Sequence, residues 1–292
     1  MNHFLDMPPQ YADYKQASVV LLPVPYDETS TFIKGADKAP QAIIDASDSI
    51  ELYDIEEDIE IYTQGIHTAS PITEKSSPEK MTEAVYQRVK SYLIDNKLVG
   101  LLGGEHSVSF GAIKAHTEKY PHLSVLQLDA HADLREEYQN SAYNHACVMR
   151  RVQEIVPVVQ VGIRNVCKEE QPFIVPENVF YAHKIRYNDF WMQNAIDKLS
   201  ENVYLTIDLD VFDPSVLPAT GTPLPGGLSW WQVLDFISEV NKQRNIVGFD
   251  VVELCPNPAD KSSDVLAAVL VYKIITKILK KVIIHYGNNL KR

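Results

Sequence analysis

The sequence predicts an α/β fold built on a largely parallel sheet. Short apolar runs rich in β-branched residues alternate with stretches of helical period, at the spacing that βαβ units require. Metal-type side chains stand just past the ends of three of those runs, where sites gather in parallel sheets. The 292 residues are 45% apolar, enough for a sizeable core, and contain no repeat or low-complexity stretch. One domain over 1–292 is expected, with residues 1–16 as a loose N-terminal arm.

After the arm, residues 19–24 form the first strand, ended by Pro23 and Pro25. A glycine loop then leads into a helix with Pro40 near its first turn. Residues 52–65 are acidic and irregular, a short edge strand and loop. Met81, Ala84, Val85, Val89, Tyr92 and Leu93 recur with a helical period and place a helix over 78–96. A strand at 98–102 runs into GGEHS, a helix follows over 109–119, and a buried strand follows at 124–128. Further helices are expected at 143–155, 190–199, 230–241 and 261–284, and further strands at 158–163, 179–182, 203–207 and 246–253. The loop GTPLPGGLSW has too many glycines and prolines for regular structure. The most apolar segment, 264–284, carries Lys273, Lys277, Lys280 and Lys281 and reads as an amphipathic helix, not a membrane span.

The chemistry concentrates in SVLQLDAHAD. Asp129, His131 and Asp133 alternate with small Ala130 and Ala132, so in extended backbone all three project to one side. Taken alone, such a run also suits a polar turn. A second strand ends in Asp208 and Asp210, two carboxylates that repel unless a cation lies between them. A third places His106 just past its glycine turn. Four Asp and two His are oxygen and imidazole ligands, suited to Mn2+- or Mg2+-like ions, with Zn2+, Co2+, Ni2+ or Fe2+ also compatible. Six ligands exceed the needs of one closed site. Four carboxylates balance two divalent cations, so a two-metal centre is expected.

The net charge of -12 argues against nucleic acid or an anionic membrane as partner and is compatible with a cationic substrate. Cys147, Cys167 and Cys255 lack paired spacing and read as free thiols in a reducing, cytoplasmic compartment. Met1–Gln10 has no apolar run that would make a signal peptide.

GGEHS, LDAHAD, IDLDVFDPSVLPATGTPLPGGL and GFDVVEL, in this order, resemble the arginase/agmatinase (ureohydrolase) family, and most closely its agmatinase members. The resemblance implies a three-layer α/β/α fold around an eight-stranded parallel sheet, two Mn2+ per subunit, and a homo-oligomer, trimer or hexamer. It implies that His106 and Asp133 hold one ion, that His131 and Asp210 hold the other, and that Asp129 and Asp208 bridge. A hydroxide shared by the two ions would attack the guanidinium carbon. By the same resemblance Glu253 pairs with the guanidinium, His145 acts as acid/base or proton shuttle, and Thr222 lies on the substrate side. The bland readings are a solvated strand-end Glu, a packing histidine and a turn-forming threonine. His3, His67, His116, His122, His183 and His285 lack such contexts and read as surface or structural. Cys147 and Cys255 read as small packing residues near the site.

Arginases grip the α-carboxylate and α-amine of arginine through two loops. Here Arg135 stands where the D-x-N segment of arginases has Asn, and Cys167 where their GLRDVD segment has its second Asp. Both departures put arginine in doubt. The pairs Glu136/Glu137 and Glu169/Glu170 are candidates to attract a distal ammonium, or are simply solvated faces. The expected substrate is a small cationic guanidine, agmatine first, giving urea and putrescine. Aminopropylagmatine, guanidinobutyrate, arginine or formiminoglutamate are the alternatives within the same chemistry. A non-catalytic polyamine- or agmatine-binding regulator on the same fold is the alternative outside it. A two-metal phosphoester hydrolase would want basic residues at the metals, where Glu136, Glu137 and Glu253 stand against the single Arg135.

Overall fold

The computed structural model describes residues 3–289, with side chains as far as Ile284, so the reading of His285 lies outside the described residues. In chain order the strands are β1 (Val19–Val24), β2 (Ile66–Thr68), β3 (Leu98–Gly103), β4 (Leu123–Leu128), β5 (Val158–Val161), β6 (Val179–Phe180), β7 (Asn202–Asp208) and β8 (Asn245–Val252). They form one eight-stranded sheet in the order β2-β1-β3-β8-β7-β4-β5-β6, and every pairing is parallel. The helices are α1 (Ala39–Ser47), α2 (Pro78–Ile94), α3 (Ser109–Lys119), α4 (Val148–Gln153), α5 (Ala182–Ile185), α6 (Trp191–Ile196), α7 (Trp230–Gln243) and α8 (Ser262–Asn289).

Strand alternation sorts the side chains into two cores. Val19 and Leu21 pack with α1, α6, α7 and α8, whereas Val20, Leu22 and Val24 pack with α2, α3 and α4. Helices therefore cover both faces, giving the three-layer α/β/α architecture. This explains why β1 and β4 are buried along their whole length and why β1 reads as a continuous apolar run.

Register places the site. Leu102 pairs with Val251, Val251 with Ile207, and Ile207 with Leu128. The carboxyl ends of β3, β8, β7 and β4 therefore lie in one row. The next residues of each strand or connection are Glu105 and His106, Glu253, Asp208 and Asp210, and Asp129 to Asp133.

Several expectations need correction. The opening segment is not loose: Phe4 and Leu5 are buried, and their N–H groups donate to Thr68 Oγ1 at 2.8 Å and Ser47 Oγ at 2.7 Å. The edge strand lies after the acidic stretch, at β2. The acidic stretch itself is pinned on α8, with Asp54 against Lys273 at 2.7 Å and Glu57 against Lys277 and Lys280 at 3.0 and 2.9 Å. The helix expected over 143–155 starts later, at Val148. Asn144 caps a short turn at His145, whose N–H is held by Thr29 Oγ1 (3.1 Å). The helix expected over 190–199 stops at Ile196, and Arg244 takes the freed carbonyls of Ile196 and Leu199, each at 3.0 Å. β6 is likewise shorter than expected. No described helix is long and apolar enough to cross a membrane.

His116 is fully buried beneath the sheet, against Tyr204 and over Gly248, where a Cβ would meet its Nε2 at 2.2 Å. Its Nδ1–H donates to Ala112 O (2.8 Å), and burial pushes its pKa down to about 4. The folded chain keeps it neutral while the unfolded chain protonates it below its ordinary value of 6.5. This stabilisation is therefore complete at pH 7 and falls as pH drops towards 4, a loss of about 3 kcal/mol. Urea unfolding from pH 7 to pH 4 should show this extra slope for the wild type relative to His116→Phe; parallel curves would contradict it.

Candidate metal centre

Asp129 leaves the end of β4 buried; the chain then bends at Ala130, and the His131 N–H turns back to donate to Asp129 Oδ1 at 2.6 Å. Simple alternation does not deliver Asp133, whose backbone is left-handed (φ 53°) and curls its carboxylate back towards the others. His106 Nδ1 lies 3.1 Å from Asp129 Oδ2, 3.1 Å from Asp133 Oδ2 and 3.5 Å from Asp208 Oδ2. His131 Nδ1 lies 2.9 Å from Asp210 Oδ2 and 3.7 Å from Asp129 Oδ1. Two overlapping triplets result, His106/Asp129/Asp208 and Asp129/His131/Asp210, each with donor atoms within 4.8 Å of one another. Asp129 belongs to both.

The surroundings aim these donors. Thr206 Oγ1 donates to buried Asp250 (2.6 Å), so it can only accept from His106 Nε2–H at 2.8 Å. That fixes the tautomer and leaves the Nδ1 lone pair facing the carboxylates, buried and without a hydrogen-bond partner. The electrostatics call for a cation. Burial opposes charge on both imidazoles, yet the carboxylates hold His106 well above its ordinary pKa and His131, beside Asp210 and Asp129, at about 12. Burial, then Asp210 and Asp129, push Asp208 far above the carboxylate range, while burial and Asp129 lift Asp133 to about 7. Asp129 is held below its usual range by His106 and His131, against burial. Oxygen and imidazole donors at these spacings fit two hard-to-borderline divalent ions.

His106, His131, Asp133 and Asp208 line a cleft of roughly 220 Å³, together with His145, Thr222, Glu253, Arg135, Tyr138 and Glu170, and exposed Phe32 marks its rim. Glu253 follows β8 in left-handed backbone (φ 66°), a strained conformation for a non-glycine residue. Its Oε1 accepts the His106 N–H at 2.7 Å, and burial and Glu105 push its carboxyl well above the usual range. Glu105, fully buried, accepts from Thr29 N–H (2.6 Å), from the Thr29 hydroxyl, from Ser30 N–H (2.9 Å) and from the Ser107 hydroxyl (2.6 Å). With the Thr29 proton committed to Glu105, Thr29 Oγ1 accepts from His145 Nδ1–H at 3.2 Å, leaving His145 Nε2 as its basic atom. Burial, with His131 and His106 nearby, pushes His145 down to about 4. Thr222 Oγ1 donates to Asp210 Oδ2 at 3.1 Å.

The sequence pattern of the arginase family matches residues 17–276, from just before β1 into α8. The chain belongs to the arginase family. It is 35% identical to an N(1)-aminopropylagmatine ureohydrolase of Synechocystis over 291 residues, covering 94% of this chain and 95% of that one. It is 34% identical to an agmatinase of Pyrococcus horikoshii over 273 residues, covering 92% and 95%. Among solved structures, an agmatine ureohydrolase of Thermoplasma volcanium superposes with a TM-score of 0.85 at 29% identity, covering 96% and 95%.

In this arginase-family chain, most of the acids expected to attract a distal ammonium already have partners. Glu136 is paired with Arg150 and Arg151, at 2.8 and 2.6 Å. Glu169 pairs with Arg135 at 3.1 Å, and the Arg135 guanidinium also lies over the Tyr138 ring at 4.6 Å. Glu170 is buried, its two oxygens accepting the N–H groups of Leu134 (2.8 Å) and Cys167 (2.7 Å), so it ties the two cleft loops together. Glu137 is exposed. Cys167 lines the cleft; Cys147 is buried beside His145.

Sequence reasoning missed Thr29, Glu105, Arg164 and Asp250. Arg164 donates to the carbonyls of Asp210 (2.6 Å) and Leu224 (2.8 Å), holding together the loop that carries Asp210 and Thr222. The one signal available was a polar residue interrupting an apolar run, as Asp250 does in NIVGFDVV.

Proposed function

We propose that this chain hydrolyses the guanidinium group of agmatine on two Mn2+ ions, releasing urea and putrescine. The observation that carries this is Asp129 standing in both donor triplets, with the Glu253 carboxylate in the cleft that His106, His131 and Asp208 of those triplets line. His106 and Asp133 would hold one ion, His131 and Asp210 the other, and Asp129 and Asp208 both. When bound, the ions supply Lewis acidity that makes a water nucleophilic at neutral pH.

The chain's own residues do the rest. Glu253, fixed at Oε1 by the His106 N–H, presents a carboxylate to a planar cation and orients it beside the ligand cluster. His145, held through Nδ1 by Thr29, is neutral at physiological pH and can move a proton at Nε2 towards the departing amine. Arg135 and Cys167, replacing groups that arginases use for an amino acid's α-carboxylate and α-amine, favour a substrate without them.

A second reading is N(1)-aminopropylagmatine, favoured by the name of the Synechocystis relative. The Mn2+-loaded protein should be given agmatine, aminopropylagmatine and arginine separately and assayed for urea. Agmatine is expected to give urea, and arginine none. Urea from aminopropylagmatine alone selects the second reading, urea from arginine overturns the interpretation of Arg135 and Cys167, and urea from none of them overturns the hydrolase.

A further inference from the structure

Two buried side chains serve neither the apolar core nor the chemistry above. Gln127 and Gln160 stand opposite one another on β4 and β5, 0% and 1% exposed, in mostly apolar runs. Gln160 Nε2 donates to Ala132 O (2.8 Å) and to Gln127 Oε1 (2.5 Å). Gln127 Nε2 donates to His131 O (3.2 Å) and to Asp129 Oδ2 (2.6 Å). The direction of this relay is fixed. Backbone carbonyls only accept, so each amide must turn its NH2 towards residues 131–132, and the Gln127 NH2 then meets Asp129.

For stability alone the arrangement is poor. Gln160 Oε1 is buried without a hydrogen-bond partner among the described residues, so the pair leaves a polar atom unsatisfied in the sheet. The relay ends on Asp129, the one carboxylate common to both donor triplets. We propose that Gln160 and Gln127 are positioning residues for the metal centre. Gln127 occupies one lone pair of Asp129 Oδ2 and the His131 N–H one of Oδ1 (2.6 Å), so together they set the rotation of the carboxylate, whose two remaining lone pairs would face the ions. The same amides hold the carbonyls of His131 and Ala132, and with them the path of the ligand-bearing backbone. An amide suits this task because it donates without charge. A Lys or Arg in its place would neutralise Asp129 and repel the cations that the carboxylate is there to hold.

This rests on the metal-centre reading, and the test separates the two. Gln127→Met and Gln160→Met nearly conserve volume and remove only the amides. Full-length wild type, both variants and the double variant are stripped by chelation and titrated calorimetrically with Mn2+, and their metal-free forms are melted in urea. Expected are a tenfold to hundredfold loss of Mn2+ affinity in Gln127→Met and a smaller loss in Gln160→Met. The double variant should bind at least as weakly as Gln127→Met, because Gln160 acts both through Gln127 and on the Ala132 carbonyl. The loss of Mn2+ affinity should exceed any fall in metal-free stability, to which the unpaired Ala132 and His131 carbonyls contribute. Unchanged Mn2+ affinity in Gln127→Met overturns the positioning role, as does a double variant whose metal-free stability falls while its affinity holds. Failure of the wild type itself to bind Mn2+ overturns the metal centre and the relay together.

Discussion

Asp129→Asn is expected to leave a folded protein with fewer than two bound ions and at least ~100-fold less activity, beyond what loss of an outer partner costs. Asp129 has both oxygens committed to N–H donors: Oδ1 to the backbone of His131 (2.6 Å) and Oδ2 to Gln127 (2.6 Å). Asparagine offers one acceptor and one donor, so one of those N–H groups must face an NH2. The side chain either rotates away or loses a bond, and in both cases the shared negative charge is gone. Metal analysis after dialysis against Mn2+, with urea release on the same sample, reads both effects. A variant with full metal content and full turnover would show that another carboxylate, Asp208 first, carries the shared position.

The candidate centre was legible in the sequence because its donor residues follow strands whose ends the sheet must align. Asp129, Asp208 and His106 each lie directly past an apolar run, and parallel pairing of β3, β8, β7 and β4 brings those ends into one row. Asp133 was found for an incomplete reason, since its approach depends on left-handed backbone and not on alternation alone. What escaped was support from distant segments. Thr29 acts through Glu105, 76 residues later in the chain, and no period links them. Gln127 and Gln160 are single polar residues inside strands, a signal with meaning only once neighbouring strands and burial are known.

The acidic composition is a weaker guide to the substrate than it looked. The charge of -12 suggested attraction of a cationic substrate, yet Glu136, Glu169 and Glu170 near the cleft are all engaged within the protein. Two hold arginines and one holds backbone, so they shape loops. On the proposed function, selection for a guanidine over other cations then rests chiefly on the acid that faces the ligand cluster itself.

That acid is Glu253, and Glu253→Gln is expected to keep the metal content while costing about 3 kcal/mol, roughly a hundredfold in kcat/KM. Glutamine can still accept the His106 N–H through Oε1, so the backbone next to the ligand cluster stays in place. Its other atom becomes an NH2, a donor pointed at a guanidinium that has only donors to offer. Loss of the charge also removes the pull of the carboxylate on a planar cation. The same change should make the metal-free protein no less stable, because burial beside Glu105 disfavours an ionised carboxylate at this position. Lower kcat/KM for agmatine with two ions still bound and an unchanged or higher urea midpoint would mark Glu253 as a group kept for the substrate at the expense of the fold. Unchanged kinetics would remove it from the reaction, and a parallel loss of metal would mean that it serves the ions through His106.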